Sequence, residues 1–147
     1  MLGSCFAENQ ARNLDKLGFN VYANPFGIIY NPVSIEKILQ RIVEKKNYRK
    51  EDFEVRDQAF SWDHHGDYKY TNPAQAAKAS NTILGKTKKQ LKDCDTIVIT
   101  LGTSLVYTHN HTIVANCHKL PNKEFAQEQL YVNRIKESLC KSIAFLV

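Results

Sequence analysis

Thr96-Ile97-Val98-Ile99-Thr100-Leu101 is the stretch that decides the fold. It is an apolar, β-branched run with no polar alternation. Such side chains suit a pleated backbone, and a run without alternation reads as a strand covered on both faces, as in a parallel sheet. On its N-terminal side, Asn72-Pro73 opens a helix that the pattern carries to about Leu91. Asparagine caps the first turn, and proline is pre-set for the first helical position, where its missing N–H costs nothing. On its C-terminal side, Leu105–Thr108 and Thr112–Ala115 read as two strands of a hairpin, with His109, Asn110 and His111 as the turn. A last helix is expected from about Phe125, with Val132, Ile135, Leu139 and Ile143 on one side.

Nearer the N-terminus, Ala7, Ala11, Leu14 and Leu17 recur at helical spacing, and Gly18 marks the stop. Phe19–Tyr22 reads as a short strand and Asn24–Tyr30 as a loop. Asn31-Pro32 repeats the cap signal, and Ile35, Ile38, Leu39, Ile42 and Val43 give the helix that follows an apolar stripe. Between residues 53 and 71 the apolar and aromatic residues keep no period, and the segment reads as a partly ordered excursion. Strands alternating with helices argue for an open α/β layer architecture.

The chain has 147 residues, which suits one domain with a real core. No apolar run reaches the roughly 18 residues that a membrane span needs, and no signal-peptide pattern is visible. The formal net charge is +5. Lysines such as Lys86, Lys88, Lys89 and Lys92 read as the solvated face of a helix. Aromatic residues do not interleave with them as a stacking platform would require, so no nucleic-acid partner is expected. Cys5, Cys94, Cys117 and Cys140 form no C-x-x-C pair, which argues against a zinc ribbon and for a reducing, cytoplasmic setting. Asp63-His64-His65 with Asp67 offers metal-ligand chemistry in a short space. Adjacent residues wrap one ion poorly, and a polar loop is the plainer reading.

Chemistry enters at Gly3-Ser4-Cys5-Phe6-Ala7-Glu8-Asn9. A serine on the first turn of a helix stands where backbone N–H groups and the positive helix end would meet a developing oxyanion. The plain alternative is an ordinary N-cap serine. Cys5 is a rival nucleophile, since a helix N-terminus favours a thiolate. Further blocks follow in order: Asn24-Pro25-Phe26-Gly27-Ile28-Ile29-Tyr30-Asn31-Pro32, Ser61-Trp62-Asp63-His64-His65, Thr100-Leu101-Gly102-Thr103-Ser104-Leu105-Val106-Tyr107, and Val114-Ala115-Asn116-Cys117-His118-Lys119-Leu120-Pro121.

With the opening string, these blocks resemble the GSCFA family, a group related to the SGNH (GDSL-like) hydrolases. The resemblance covers nearly the whole chain. It implies a three-layer α/β/α, SGNH-hydrolase-like parallel sheet. It also implies that residues 1–147 are one partial domain: the strand before Ser4 is short, and the late Asp-x-x-His segment that supplies the base in SGNH enzymes is not in this sequence. The implied activity is hydrolysis or transfer of an acyl ester, on a small molecule or an O-acylated carbohydrate, without metal or cofactor. As it stands, the chain is expected to be inactive. Ser4 is the nucleophile by resemblance, and the Gly27 N–H is an oxyanion donor. Gly102-Thr103-Ser104 occupies the place of a Gly-x-Asn-Asp block, with Ser104 where asparagine is expected. A hydroxyl donates with shorter reach than an amide. Asn116 could supply the amide if the hairpin folds back, and His118 could contact substrate or carry a proton. For Gly27 and Gly102 tight-turn geometry is a competing reading, as an ordinary satisfied histidine is for His118. A non-catalytic domain that holds a carbohydrate or acyl group in the same pocket is the alternative function.

Overall fold

Asn31 and Asn72 both start helices, as their sequence context requires. The Asn31 side chain accepts the Ser34 N–H at 2.8 Å, and the Asn72 side chain accepts that of Gln75 at 2.9 Å. The computed structural model describes residues 1–146. In chain order the elements are β1 (Leu2–Gly3), α1 (Cys5–Lys16), α2 (Pro32–Val43), β2 (Glu54–Val55), β3 (Ala59–Phe60), α3 (Pro73–Asp93), β4 (Ile99–Thr100), β5 (Leu105–His109), β6 (Thr112–Val114), β7 (Ala126–Gln129) and α4 (Val132–Ala144). The fold is mixed α/β. Among the described residues, no helix is long and apolar enough to cross a membrane.

The strands form three small sheets. β1 and β4 pair in parallel, with Leu2 opposite Ile99 and Gly3 opposite Thr100. β2 and β3 form a short antiparallel pair. β5 lies between β6 and β7, antiparallel to both.

Helix α2 is the hub of the core. Ile35, Ile38, Leu39 and Ile42 are buried with Phe26, Ile29, Tyr48, Phe53 and, from α3, Ala76, Ala77 and Leu84. Each buried isoleucine, leucine and phenylalanine among them contributes roughly 1.5–3 kcal/mol by leaving water. On another side of α2, Val33 joins Val106 of β5 and Leu130 in a second cluster.

Four expectations change. The run Thr96–Leu101 is not covered on both faces: only Ile99 and Thr100 pair, and Val98 and Leu101 are exposed. Its apolar character is real, but the parallel sheet is two strands wide among the described residues. Phe19–Tyr22 forms no strand. Residues 53–71, expected as a partly ordered excursion, are packed into the core. Phe53, Ala59, Phe60, Ser61 and His64 are buried, and Ala59 and Tyr70 exchange backbone hydrogen bonds of 2.8 and 2.9 Å. The segment lacks a period because its apolar residues are spread over two-residue strands and the turns between them. Finally, β7 precedes α4, and the helix buries Ser138 and Ser142 while Val132 and Ile143 are exposed. α4 packs on α2 through small serines: the Ser138 hydroxyl donates to the Glu36 carboxylate, which also lies 3.9 Å from both Arg134 and Lys141.

Candidate active site around Ser4

Gly3 makes the approach to Ser4 possible. Its φ is +132°, and a Cβ at this position would lie 1.9 Å from the Thr100 carbonyl oxygen. Only glycine admits both the dihedral and the contact. Ser4 follows in extended conformation (φ −70°, ψ 176°) at the N-cap of α1. Its N–H donates to the Thr100 carbonyl at 3.2 Å and to Thr100 Oγ1 at 3.0 Å. The Ser4 hydroxyl stands 3.0 Å from the same Oγ1.

A capping serine would spend its side-chain oxygen on the N–H of the second or third helical residue. Ser4 makes no such bond. The N–H groups of Cys5 and Phe6 have no acceptor among the described residues, so the positive end of α1 is open beside the serine. Ser4 is nonetheless 95% buried, with 5% of its surface exposed. Cys5 is exposed. Asn24 braces the strand: at φ 41° it accepts the Gly3 N–H at 2.9 Å and donates to Glu8 of α1 at 3.1 Å.

Gly102 lies against Ser4. A Cβ on it would stand 3.2 Å from Ser4 Cβ and 2.5 Å from the Tyr30 ring. Its N–H and that of Thr103 both donate to the Tyr30 carbonyl, at 2.8 and 3.3 Å. Ser104 Oγ accepts from the Gln129 amide. Gly27 has φ +81°, and a Cβ there would sit 2.3 Å from His65 Cβ; its N–H donates to the Asn24 carbonyl at 2.8 Å. Asn116 stands beside Gly66 and accepts the His118 N–H at 2.7 Å. Ser4 and Gly102 are therefore side by side, whereas Gly27 and Asn116 both flank the His65-Gly66 loop. Exposed apolar side chains lie close by: Phe6 in the first turn of α1, Leu101 beside Gly102 in the chain, and Tyr30, whose ring meets Gly102.

The histidines separate by environment. His118 is buried with φ 51°. Its Nε2 lies 2.9 Å from the Ser61 carbonyl. A carbonyl only accepts, so Nε2 carries the proton and the buried Nδ1 is left without a partner. Burial holds its pKa down to about 4. His64 is not part of a polar loop. It is fully buried, stacked on Phe26 at 4.6 Å and bonded through Nε2 to the Tyr48 hydroxyl at 2.9 Å. Burial, helped by the positive Arg41, lowers its pKa to about 3. His109 ends β5 and stacks on Trp62 at 4.4 Å. His65 is the histidine with a carboxylate neighbour: its Nδ1 lies 3.2 Å from Asp67. No hydrogen bond joins any histidine to Ser4 among the described residues. Among those residues, too, no three His, Cys, Asp or Glu side chains stand together as metal ligands.

Thr100 and Tyr30 were invisible as site residues in the sequence, and His65 with Asp67 was read there as a polar loop rather than as a histidine–carboxylate pair. Thr100 sits inside an apolar strand, where threonine reads as a β-former. Only the Gly3–Thr100 register reveals it.

The GSCFA family profile matches residues 1–147. No curated protein and no solved structure matches the chain. With its opening serine motif held at the start of α1 and the match running its full length, the chain belongs to the GSCFA family.

Proposed function

We propose that this protein is a serine-dependent acyl hydrolase or acyl transferase in which Ser4 is the nucleophile. The observation that carries the reading is the Ser4 hydroxyl: it sits at a helix N-terminus without capping it. The Cys5 and Phe6 N–H groups then remain to receive an oxyanion. The step is attack of Ser4 Oγ on an ester carbonyl carbon: the serine proton passes to a general base, which returns it to the alkoxide oxygen as the ester C–O bond breaks, so that the alcohol leaves and the acyl-serine forms. Phe6, Tyr30 and Leu101 offer apolar surface for the acyl part of the ester. An O-acylated carbohydrate is the substrate class the superfamily analogy favours.

A second reading has its own support. The Gly27 N–H, which the family resemblance assigns to the oxyanion, donates within the chain to the Asn24 carbonyl, and Ser104 Oγ is held by the Gln129 amide. A domain that binds an acyl or carbohydrate group without cleaving it would have no use for them free. Fluorophosphonate treatment of the native protein separates the two. The hydrolase reading expects covalent phosphonylation of Ser4, found by peptide mass and absent from Ser4→Ala. A native protein left unmodified at Ser4 refutes it.

A further inference from the structure

We propose that the Thr100 hydroxyl is the positioning partner of Ser4: it fixes where the serine oxygen sits at rest and donates to that oxygen as its proton leaves. This rests on the serine reading above.

One atom, Thr100 Oγ1, meets both ends of Ser4. It is 3.0 Å from the Ser4 nitrogen and 3.0 Å from Ser4 Oγ. A hydroxyl has one proton and two lone pairs. One lone pair is taken by the Ser4 N–H, which can only donate. The remaining proton and lone pair both serve the contact with Ser4 Oγ, so that contact holds in either direction. While Ser4 keeps its proton, either hydroxyl can be the donor. Once a base removes that proton, Ser4 Oγ can only accept, and the Thr100 proton must point at it. The hydrogen bond then becomes charge-assisted, about twice as strong as a neutral one. Thr100 keeps its proton throughout, and the Ser4 electron pair goes to the acyl carbon.

The arrangement is held from the backbone. The Thr100 carbonyl also accepts the Ser4 N–H, at 3.2 Å, and the Gly3–Thr100 register fixes the two residues in neighbouring strands. Removing the hydroxyl therefore leaves the strand pairing a backbone acceptor. Thr100→Val keeps the shape and loses the hydroxyl; Thr100→Ser keeps the hydroxyl.

The test uses native protein carrying each substitution, with Ser4→Ala as control. The rate of fluorophosphonate labelling at Ser4 is followed across pH. Three-bond Hα–Hβ couplings report the Ser4 side-chain conformation independently. Loss of a hydrogen bond to a charged oxygen slows labelling by roughly 10- to 100-fold in Thr100→Val. It also shifts the pH dependence upward and averages the Ser4 couplings. Thr100→Ser restores all three. Labelling of Thr100→Val at the wild-type rate, with wild-type labelling intact, overturns the inference and leaves the serine reading standing. Wild-type protein that does not label at Ser4 removes the serine reading and this role with it. Couplings unchanged in Thr100→Val overturn the positioning claim whether or not Ser4 labels.

Discussion

Acidification from pH 7.5 to 5 should strip about 4 kcal/mol from the stability of this protein, and the two buried histidines set that figure. His64 titrates at about 3 and His118 at about 4 in the folded chain, both lowered chiefly by burial. In the unfolded chain each returns to about 6.5. Between these values the unfolded state binds protons that the native state refuses, so stability falls as pH falls. At pH 5 each unfolded histidine is favoured by about 1.5 pH units, or about 2 kcal/mol at 1.36 kcal/mol per unit. Two such groups remove a large share of a typical domain's roughly 5–15 kcal/mol. The window between pH 6.5 and 5 lies above ordinary carboxylate titration, which keeps the effect readable. Urea unfolding at half-unit pH steps supplies the measurement, with histidine ring NMR shifts giving the native pKa values. His118→Gln should halve the slope, since its amide can still donate to the Ser61 carbonyl. Stability unchanged from pH 7 to 5, or a folded-state His64 that titrates near 6.5, would refute the argument.

Two further outcomes follow from the geometry. Gly3→Ala places a methyl group 1.9 Å from the Thr100 carbonyl oxygen at φ +132°; overpacking and dihedral strain together should cost at least about 3 kcal/mol, seen as a lower urea midpoint or loss of folded protein. Asn31→Ala removes both the cap of α2 and the bond to the Val114 carbonyl; a loss of about 1–3 kcal/mol is expected by the same assay, and a change within error would show that water replaces both bonds.

Local signals were the legible ones. Asn31-Pro32 and Asn72-Pro73 announced their helices because a cap is chemistry between residues three apart. The β5–β6 hairpin was legible for the same reason. β7 was not: Ala126–Gln129 is exposed throughout, and its pairing with β5 is decided by a partner some twenty residues away. The serines on the buried face of α4 hid that face, since close approach to α2 called for small side chains rather than apolar ones. His64 read as polar, yet its ring works as an aromatic body within Phe26, Tyr48 and Phe53. At the site, Ser4 was legible from its motif. Thr100 was not, because its role exists only through strand register.

The Gly3–Thr100 splice also fixes when the site can exist. Ser4 is held by a residue 96 positions away in the chain, and closing so long a loop costs entropy that is recovered only after the intervening elements have folded. The α2 cluster draws on nearer partners, Tyr48, Phe53 and α3. It can consolidate while residues 1–4 are still searching for β4. The serine is therefore assembled late, onto a core already in place. Two paired residues per strand make that assembly easy to undo, so brief opening at β4 releases Ser4 while the helices stay docked. In amide exchange, Leu2 and Ser4 should lose protection well before Leu39 and Ile42.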